Sequence, residues 1–349
     1  MIPEKALKII RDELENCSNP LFFFHDDPDG TSAYIQFYRV KKEGYCNMVK
    51  MLPKMTVNHL RWVNDFGSDK VFVFDVAMMD QEFVDKCPAP IVWLDHHDVQ
   101  EISGVTYINA KNYGETTPPS VMAYQAFEKD LWLACVGAIG DWYWTDLLYE
   151  LKSKEPQLLD IDLDAVKWKP EEVMFGTRLG TLVNVLSFNL KGTSKDALQS
   201  IKVFTRIESP YEILDQATAQ GKFLWKKYLK VKKGYDEEKA KALKSYKKDD
   251  PFFVHTYMTR DYSVTKDLAN ELSYLYKDKV IILARERNGG MVMSLRSSRE
   301  GPALNEALEK VLGQFADSHG GGHEHACGAA VKAEDFSDFL RVFKEELGL

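Results

Sequence analysis

Ala89-Pro90-Ile91-Val92-Trp93-Leu94-Asp95-His96-His97-Asp98 carries an apolar run straight into a carboxylate and two imidazoles. A short continuous apolar run of this kind reads as a strand buried on both faces, the pattern of parallel sheets. The Asp-His-His end places polar groups at the edge of that sheet, where open α/β proteins bind ligands. Carboxylate and imidazole are also the ligand set of manganese, iron and zinc sites. The stretch therefore predicts both a sheet and a site at one end of it.

Working outward, the first third of the chain repeats the pattern. Strands are predicted at 20–24, 44–52, 71–76, 90–94 and 105–108, with helices between them, for example at 30–40 and 116–128. Strands alternating with helices imply βαβ units and a mainly parallel sheet. Residues 131–245 read as helical, and Asp249-Asp250-Pro251 breaks that run. A second α/β pattern follows: a strand at 252–258, a helix at 264–276, and a hairpin of 279–285 with 290–295 around Asn288-Gly289-Gly290. A helix at 303–312, a strand at 326–331 and a helix at 336–347 complete it. The expected organisation is a domain at 1–190, a helical linker at 191–250 and a domain at 251–349.

Composition narrows the class. Of 349 residues, 45% are hydrophobic, enough for real cores, and no run approaches the roughly 18 apolar residues of a membrane span. Met1-Ile2-Pro3-Glu4-Lys5 lacks the pattern of a secretory signal. Cys17, Cys46, Cys87, Cys135 and Cys327 are scattered and odd in number, which predicts a reducing cytoplasmic location. A net charge of −8 argues against a general basic surface for duplex nucleic acid. Residues 222–248 run the other way, with eleven lysines against Asp236, Glu237 and Glu238. They read either as a solvated helical connector or as a guide for a polyanion helped by Trp225, Tyr228, Tyr235 and Tyr246.

Three further segments end as 89–98 does. The first strand runs into His25-Asp26-Asp27-Pro28-Asp29-Gly30, where an extended backbone would point His25, Asp27 and Asp29 the same way, with Gly30 turning into the next helix. Val71-Phe72-Val73-Phe74 ends at Asp75, and Gly137-Ala138-Ile139-Gly140 ends at Asp141. One Asp after a strand is usually a cap or turn. Four segments delivering metal-type ligands together predict a shared site for His25, Asp27, Asp29, Asp75, His96 and Asp141. Four carboxylates would balance two divalent ions, manganese first, with iron, magnesium or cobalt as competitors. Such paired ions acidify a water and steady a phosphoryl transition state. The site would then be near neutral, and His97 is the nearest further cationic donor. Near the C-terminus, Arg296 and Ser297 in Ser294-Leu295-Arg296-Ser297-Ser298, and a glycine loop of Gly320, Gly321, Gly322 and His323, read as a phosphate- or base-holding group.

These motifs, in this order, resemble the DHH phosphoesterases, in the subfamily with the DHH-associated C-terminal domain. The resemblance rests on His25-x-Asp27-x-Asp29-Gly30, Asp75, Asp95-His96-His97, Gly140-Asp141, Ser294-Leu295-Arg296-Ser297 and Gly320-Gly321-Gly322-His323. It implies a Rossmann-like N-terminal domain, a helical linker and a smaller α/β domain facing it across a cleft. It implies two manganese ions, one on His25, Asp27 and Asp75, the other on Asp29, Asp75, His96 and Asp141. His97 would contact the scissile phosphate and Asp95 would orient the imidazoles. The expected activity is hydrolysis of single-stranded or short oligonucleotides to mononucleotides. A small-nucleotide phosphatase, a hydrolase of cyclic dinucleotides or their linear products, and a non-catalytic replication scaffold are the alternatives. Oligomeric state stays open.

Overall fold

The computed structural model describes residues 1–50, 54–258, 262–299 and 301–349. The chain divides into two compact units, Met1–Tyr228 and Leu229–Leu349.

The first unit is built on a parallel five-stranded sheet. Its strands are β1 (Pro20–His25), β2 (Tyr45–Val49), β4 (Lys70–Phe74), β6 (Ile91–Asp95) and β7 (Val105–Asn109), in the order β2-β1-β4-β6-β7. Every pair is parallel, with His25 beside Val49, Phe24 beside Phe74 and Phe74 beside Leu94. Two short strands, β3 (Lys54–Met55) and β5 (Met78–Met79), pair separately. The second strand stops at Val49; the predicted continuation through Met51 and Leu52 lies outside the described residues.

Both faces of the sheet are buried, which explains the unbroken apolar runs. Leu21, Phe23, Val71, Val73, Ile91 and Trp93 fill one face. On the other, Phe22, Phe72 and Phe74 stack, with Phe37 against Phe74 at 4.5 Å between ring centroids. Each such ring contributes about 1.5–3 kcal/mol by burial. Trp93 hides its one polar atom by donating from Nε1 to the Val76 carbonyl at 3.0 Å.

Strand order fixes where a ligand can sit. The connection after β1 runs outward to β2 and the connection after β4 runs the other way to β6, so the loops after β1 and β4 part at their carboxyl ends. That crevice is the standard ligand position in doubly wound sheets. His25 ends β1 and Asp75 follows β4. Helices fill 131–244, with no strand there among the described residues.

The second unit has a mixed sheet of β8 (Phe252–Met258), β9 (Val280–Arg287), β10 (Gly290–Ser297), β11 (His319–His323) and β12 (Ala326–Lys332), ordered β11-β12-β10-β9-β8. Only β8 and β9 are parallel. Leu308, Val311, Phe339 and Phe343 from two helices cover its inner face. The lysine-rich segment lies in the helix Ala219–Lys244, whose buried Leu224, Tyr228, Val231, Tyr235, Glu238 and Ala242 recur every three or four residues. Tyr228 and Tyr235 are thus packing residues, and Tyr246 packs on Phe253 and Tyr276. Among the described residues, no helix is long and apolar enough to cross a membrane, and all five cysteines are free.

Candidate metal centre

His25, Asp27, Asp29, Asp75, His96 and Asp141 come together at the carboxyl edge of the first sheet. Asp75 is the middle of the cluster. It is 1% exposed, and its carboxylate lies between two imidazoles: His25 Nδ1 is 3.2 Å from Oδ2 and His96 Nε2 is 3.4 Å from Oδ1. Its φ of +55° turns the chain sharply at the strand end, a conformation that Asp tolerates better than most residues. His25 Nδ1 also lies 3.0 Å from Asp27 Oδ2, and His96 Nε2 lies 3.5 Å from Asp141 Oδ2. Two sets of donors converge closely enough to hold an ion each: His25, Asp27 and Asp75; and Asp75, His96 and His97.

Asp29 reaches the cluster by a route that alternation along a strand does not describe. Asp27 is the N-cap of the helix Pro28–Lys41, and Asp29 sits in its first turn, fully buried. Pro28 ends the extended backbone there, because its fixed φ suits the first helical position. Gly30 lies inside the helix and makes no turn. A Cβ there would sit 2.9 Å from the His25 backbone nitrogen, so the glycine lets the helix start lie against the strand end. Gly140 does the same for Asp141: a Cβ would meet Pro28 at 2.5 Å. Asp141 itself caps the carboxyl end of the helix Leu131–Gly140.

Three supporting residues escape a reading of the sequence. Ser120 opens the helix Pro119–Phe127, and its backbone N–H donates to Asp29 Oδ1 at 3.0 Å while its hydroxyl donates to the same oxygen. Asp29 thereby satisfies one of the first-turn N–H groups that any helix leaves unpaired. The Thr116 carbonyl lies 3.4 Å from His96 Nδ1, turning Nε2 toward the carboxylates. Asn109 Nδ2 donates to the His97 carbonyl at 3.0 Å and lies 3.4 Å from Asp95 Oδ2. Asp95, fully buried, accepts from His97 Nδ1 at 2.8 Å. It thus orients His97 alone, while His96 depends on Thr116. The local signals for these residues are faint: a polar residue at a helix start, and an Asn closing a strand.

The electrostatics are those of a site lacking positive charge. Burial pushes the Asp29 carboxyl well above its usual range, and the charges of Asp75 and Asp141 push it further. Burial would raise Asp75 as well, but the imidazoles of His25 and His96 hold it well below. Burial opposes protonation of His96, yet Asp75, Asp141 and Asp29 raise it to about 11. Burial likewise opposes protonation of His25 and His97; Asp27 and Asp75 raise the first, Asp95 and Asp75 the second. Two buried polar atoms of the cluster, Asp29 Oδ2 and His96 Nε2, have no hydrogen-bond partner. A buried carboxylate oxygen left unpaired costs several kcal/mol in a stable fold. The donor set and its two orphaned atoms fit divalent cations with mixed N/O ligation.

In the second unit, the predicted glycine loop is a strand. Gly320, Gly321 and Gly322 lie in β11 at the sheet edge, paired with Ala329, Gly328 and Cys327 of β12. Pairing determines the glycines here: a Cβ at Gly320 would meet the Gly328 carbonyl at 2.7 Å, and Gly322 has φ +147°. All five residues of β11, including His323, are exposed. Arg296 lies inside β10, donating from Nε to Asn270 Oδ1 at 2.5 Å and from Nη1 to the Leu295 and Cys327 carbonyls. Burial lowers its guanidinium to about 10. Ser297 is buried at the end of the same strand.

Residues 250–349 match the family model of the DHHA1 domain. That match follows the Asp-His-His site along one chain. The second unit therefore carries a DHHA1 domain. The fold of the chain is similar to RecJ in complex with Mn2+ from Thermus thermophilus, at TM-score 0.67 and 14% identity over 99% of this chain and 54% of that one. This chain thus spans about half of that RecJ. An exonuclease RecJ bound to manganese matches at TM-score 0.62 and 16% identity, over 99% of this chain and 94% of that one. The pGpG-specific phosphodiesterase PggH from Vibrio cholerae matches at TM-score 0.52 and 12% identity, over 94% and 99%. A search among curated proteins finds no match to the chain.

Proposed function

We propose that this protein is a DHH phosphoesterase, a manganese-dependent phosphodiesterase of the cytoplasm that removes mononucleotides from short or single-stranded oligonucleotides. The observation that carries the proposal is Asp75, buried between His25 and His96 with one oxygen facing each. His25, Asp27 and Asp75 would hold one ion; Asp29, Asp75, His96 and Asp141 would hold the other. When bound, such ions lower the pKa of a shared water and neutralise charge on the phosphoryl group.

The chain's own residues do the rest. Ser120 holds Asp29 so that Oδ2 faces inward with no partner of its own. Thr116 selects the His96 tautomer that presents Nε2. Asp95 and Asn109 hold the His97 ring, which would contact the scissile phosphate and stabilise its charge. In the second unit Arg296, Ser297, Gly320, Gly321, Gly322 and His323 would hold the phosphate or base of the substrate. A linear dinucleotide substrate is the second reading, supported by the likeness to PggH over nearly the full length of both chains.

A length series of end-labelled RNA and DNA, from dinucleotides upward, with manganese and with magnesium, tests both readings. Mononucleotide release at several lengths supports the first, and hydrolysis confined to dinucleotides supports the second. The absence of metal-dependent hydrolysis at every length refutes both.

A further inference from the structure

Directly after Asp141 the chain reads Trp142-Tyr143-Trp144, and a third tryptophan, Trp168, lies close to this run. Trp142 has φ +57° and Trp168 φ +65°, a left-handed backbone that is a genuine outlier for side chains of this size. Such conformations persist where the surroundings impose them, and they cluster at binding sites. Trp142 is half-buried, with its ring 6.0 Å from that of Phe175 in the helix Pro170–Gly176. Trp168 is 68% exposed, its ring 6.2 Å from Trp144 and beneath the ammonium of Lys167 at 5.4 Å. Trp144 is buried, and its Nε1 donor has no hydrogen-bond partner.

Packing alone does not account for this arrangement. The core Trp93 has a relaxed backbone and an acceptor for its N–H, whereas Trp142 and Trp168 lack the first and Trp144 the second, as the helical Trp132 does too. Here indole rings beginning one residue beyond a candidate metal ligand are held in strained backbone, one of them mostly in water. One sits under a cation, and a buried donor beside them awaits an acceptor. Indole faces and a nearby ammonium are what a nucleobase and its phosphate require.

We propose that Trp142 and Trp168, the second backed by the buried Trp144, form a platform that stacks the nucleobase next to the scissile phosphate. The site then selects phosphodiesters that carry a base over base-free polyphosphates. This inference rests on the phosphodiesterase reading above.

The test uses the full chain with manganese and compares binding of adenosine 5′-monophosphate with ribose 5-phosphate by calorimetry. The two share a phosphate and a ribose, and only the first has a base. The wild type should bind the nucleotide about five- to a hundredfold more tightly, the worth of one base stacked on an aromatic ring. Trp142→Ala should remove that preference while leaving ribose 5-phosphate binding unchanged, and Trp142→Phe should restore most of it. Trp142→Leu, which keeps an apolar side chain without a π face, serves if the alanine variant does not fold. With a dinucleotide, Trp142→Ala should raise KM and leave kcat near wild type, and the exposed Trp168→Ala should do so more weakly. Equal affinity of the two ligands, or a preference that survives Trp142→Ala, overturns the platform and leaves the phosphodiesterase reading standing. Failure of both ligands to bind overturns the two together.

Discussion

Among the described residues, each unit holds a buried cluster of histidine and carboxylate, and the two are built to opposite rules. In the second unit, His255 on β8 is buried with both ring nitrogens in use: Nε2 is 2.8 Å from Glu238 Oε1 and Nδ1 is 3.0 Å from Ser245 Oγ. Lys241 reaches the other Glu238 oxygen at 3.1 Å. That cluster is complete as it stands. In the first unit, Asp29 Oδ2 and His96 Nε2 are buried without a hydrogen-bond partner, and His96 meets Asp75 and Asp141 only at 3.4 and 3.5 Å. Burial and residue type are the same in both places. What differs is satisfaction, and an unsatisfied buried cluster is the one that asks for a ligand.

The largest effect should follow from the residue in the middle of the unsatisfied cluster. Asp75→Asn should reduce hydrolysis by several orders of magnitude, because one of the two metal-facing oxygens becomes an NH2 group and both proposed sites lose the shared negative charge. The same variant should lose stabilisation by manganese, which reaches about 2.7 kcal/mol in a binding-competent protein at a hundred times Kd. Thermal melts with and without manganese measure this. A variant that keeps both activity and the manganese shift would make the first cluster as structural as the second.

His255→Ala reverses the pattern. It should lower stability by about 1–3 kcal/mol, the cost of leaving buried hydrogen-bonding groups without their partner. It should leave the manganese increment and turnover per folded molecule unchanged. Denaturant titration with single-turnover assays separates the two, and a variant with normal stability but lost turnover would break the comparison from the other side.

Ser120→Ala sharpens it. Ser120 is not among the proposed ligands; its hydroxyl donates to Asp29 Oδ1. Loss of such support costs about ten- to a hundredfold in metal affinity or activity. Manganese titration of the variant should show that loss at near-normal stability.

These contrasts explain what could be read from the sequence. The strand ends were legible because fully buried parallel strands leave a sharp boundary where Phe74 meets Asp75 and Leu94 meets Asp95. The ligands were legible because they stand at those boundaries. The helical placement of Asp29 was masked by the alternation of His25, Asp27 and Asp29, which imitates an extended strand although Pro28 starts a helix. The β11 strand was hidden because its glycines lack the side-chain pattern that marks a strand. Ser120 lies 91 residues from Asp29, and no local pattern encodes a contact that only the packed sheet creates.

The smallest effect concerns pH and belongs to the satisfied cluster. Burial would raise the Glu238 carboxyl, but His255 and Lys241 overcome it and hold the carboxyl below its usual range. A carboxyl depressed in the fold contributes stability that is complete above its unfolded pKa, about 4.3 for Glu. That contribution is lost as pH falls through the lower folded value. Glu238→Gln should therefore be less stable than wild type at neutral pH, and the gap should close below about pH 4 as the wild-type carboxyl takes up its proton. Paired melting curves from pH 7 to pH 3 in the presence of a chelator measure it. A gap that widened on acidification would mean that Glu238 is held protonated in the fold. The second cluster would then be no more complete than the first, and satisfaction would no longer distinguish a site from a scaffold in this chain.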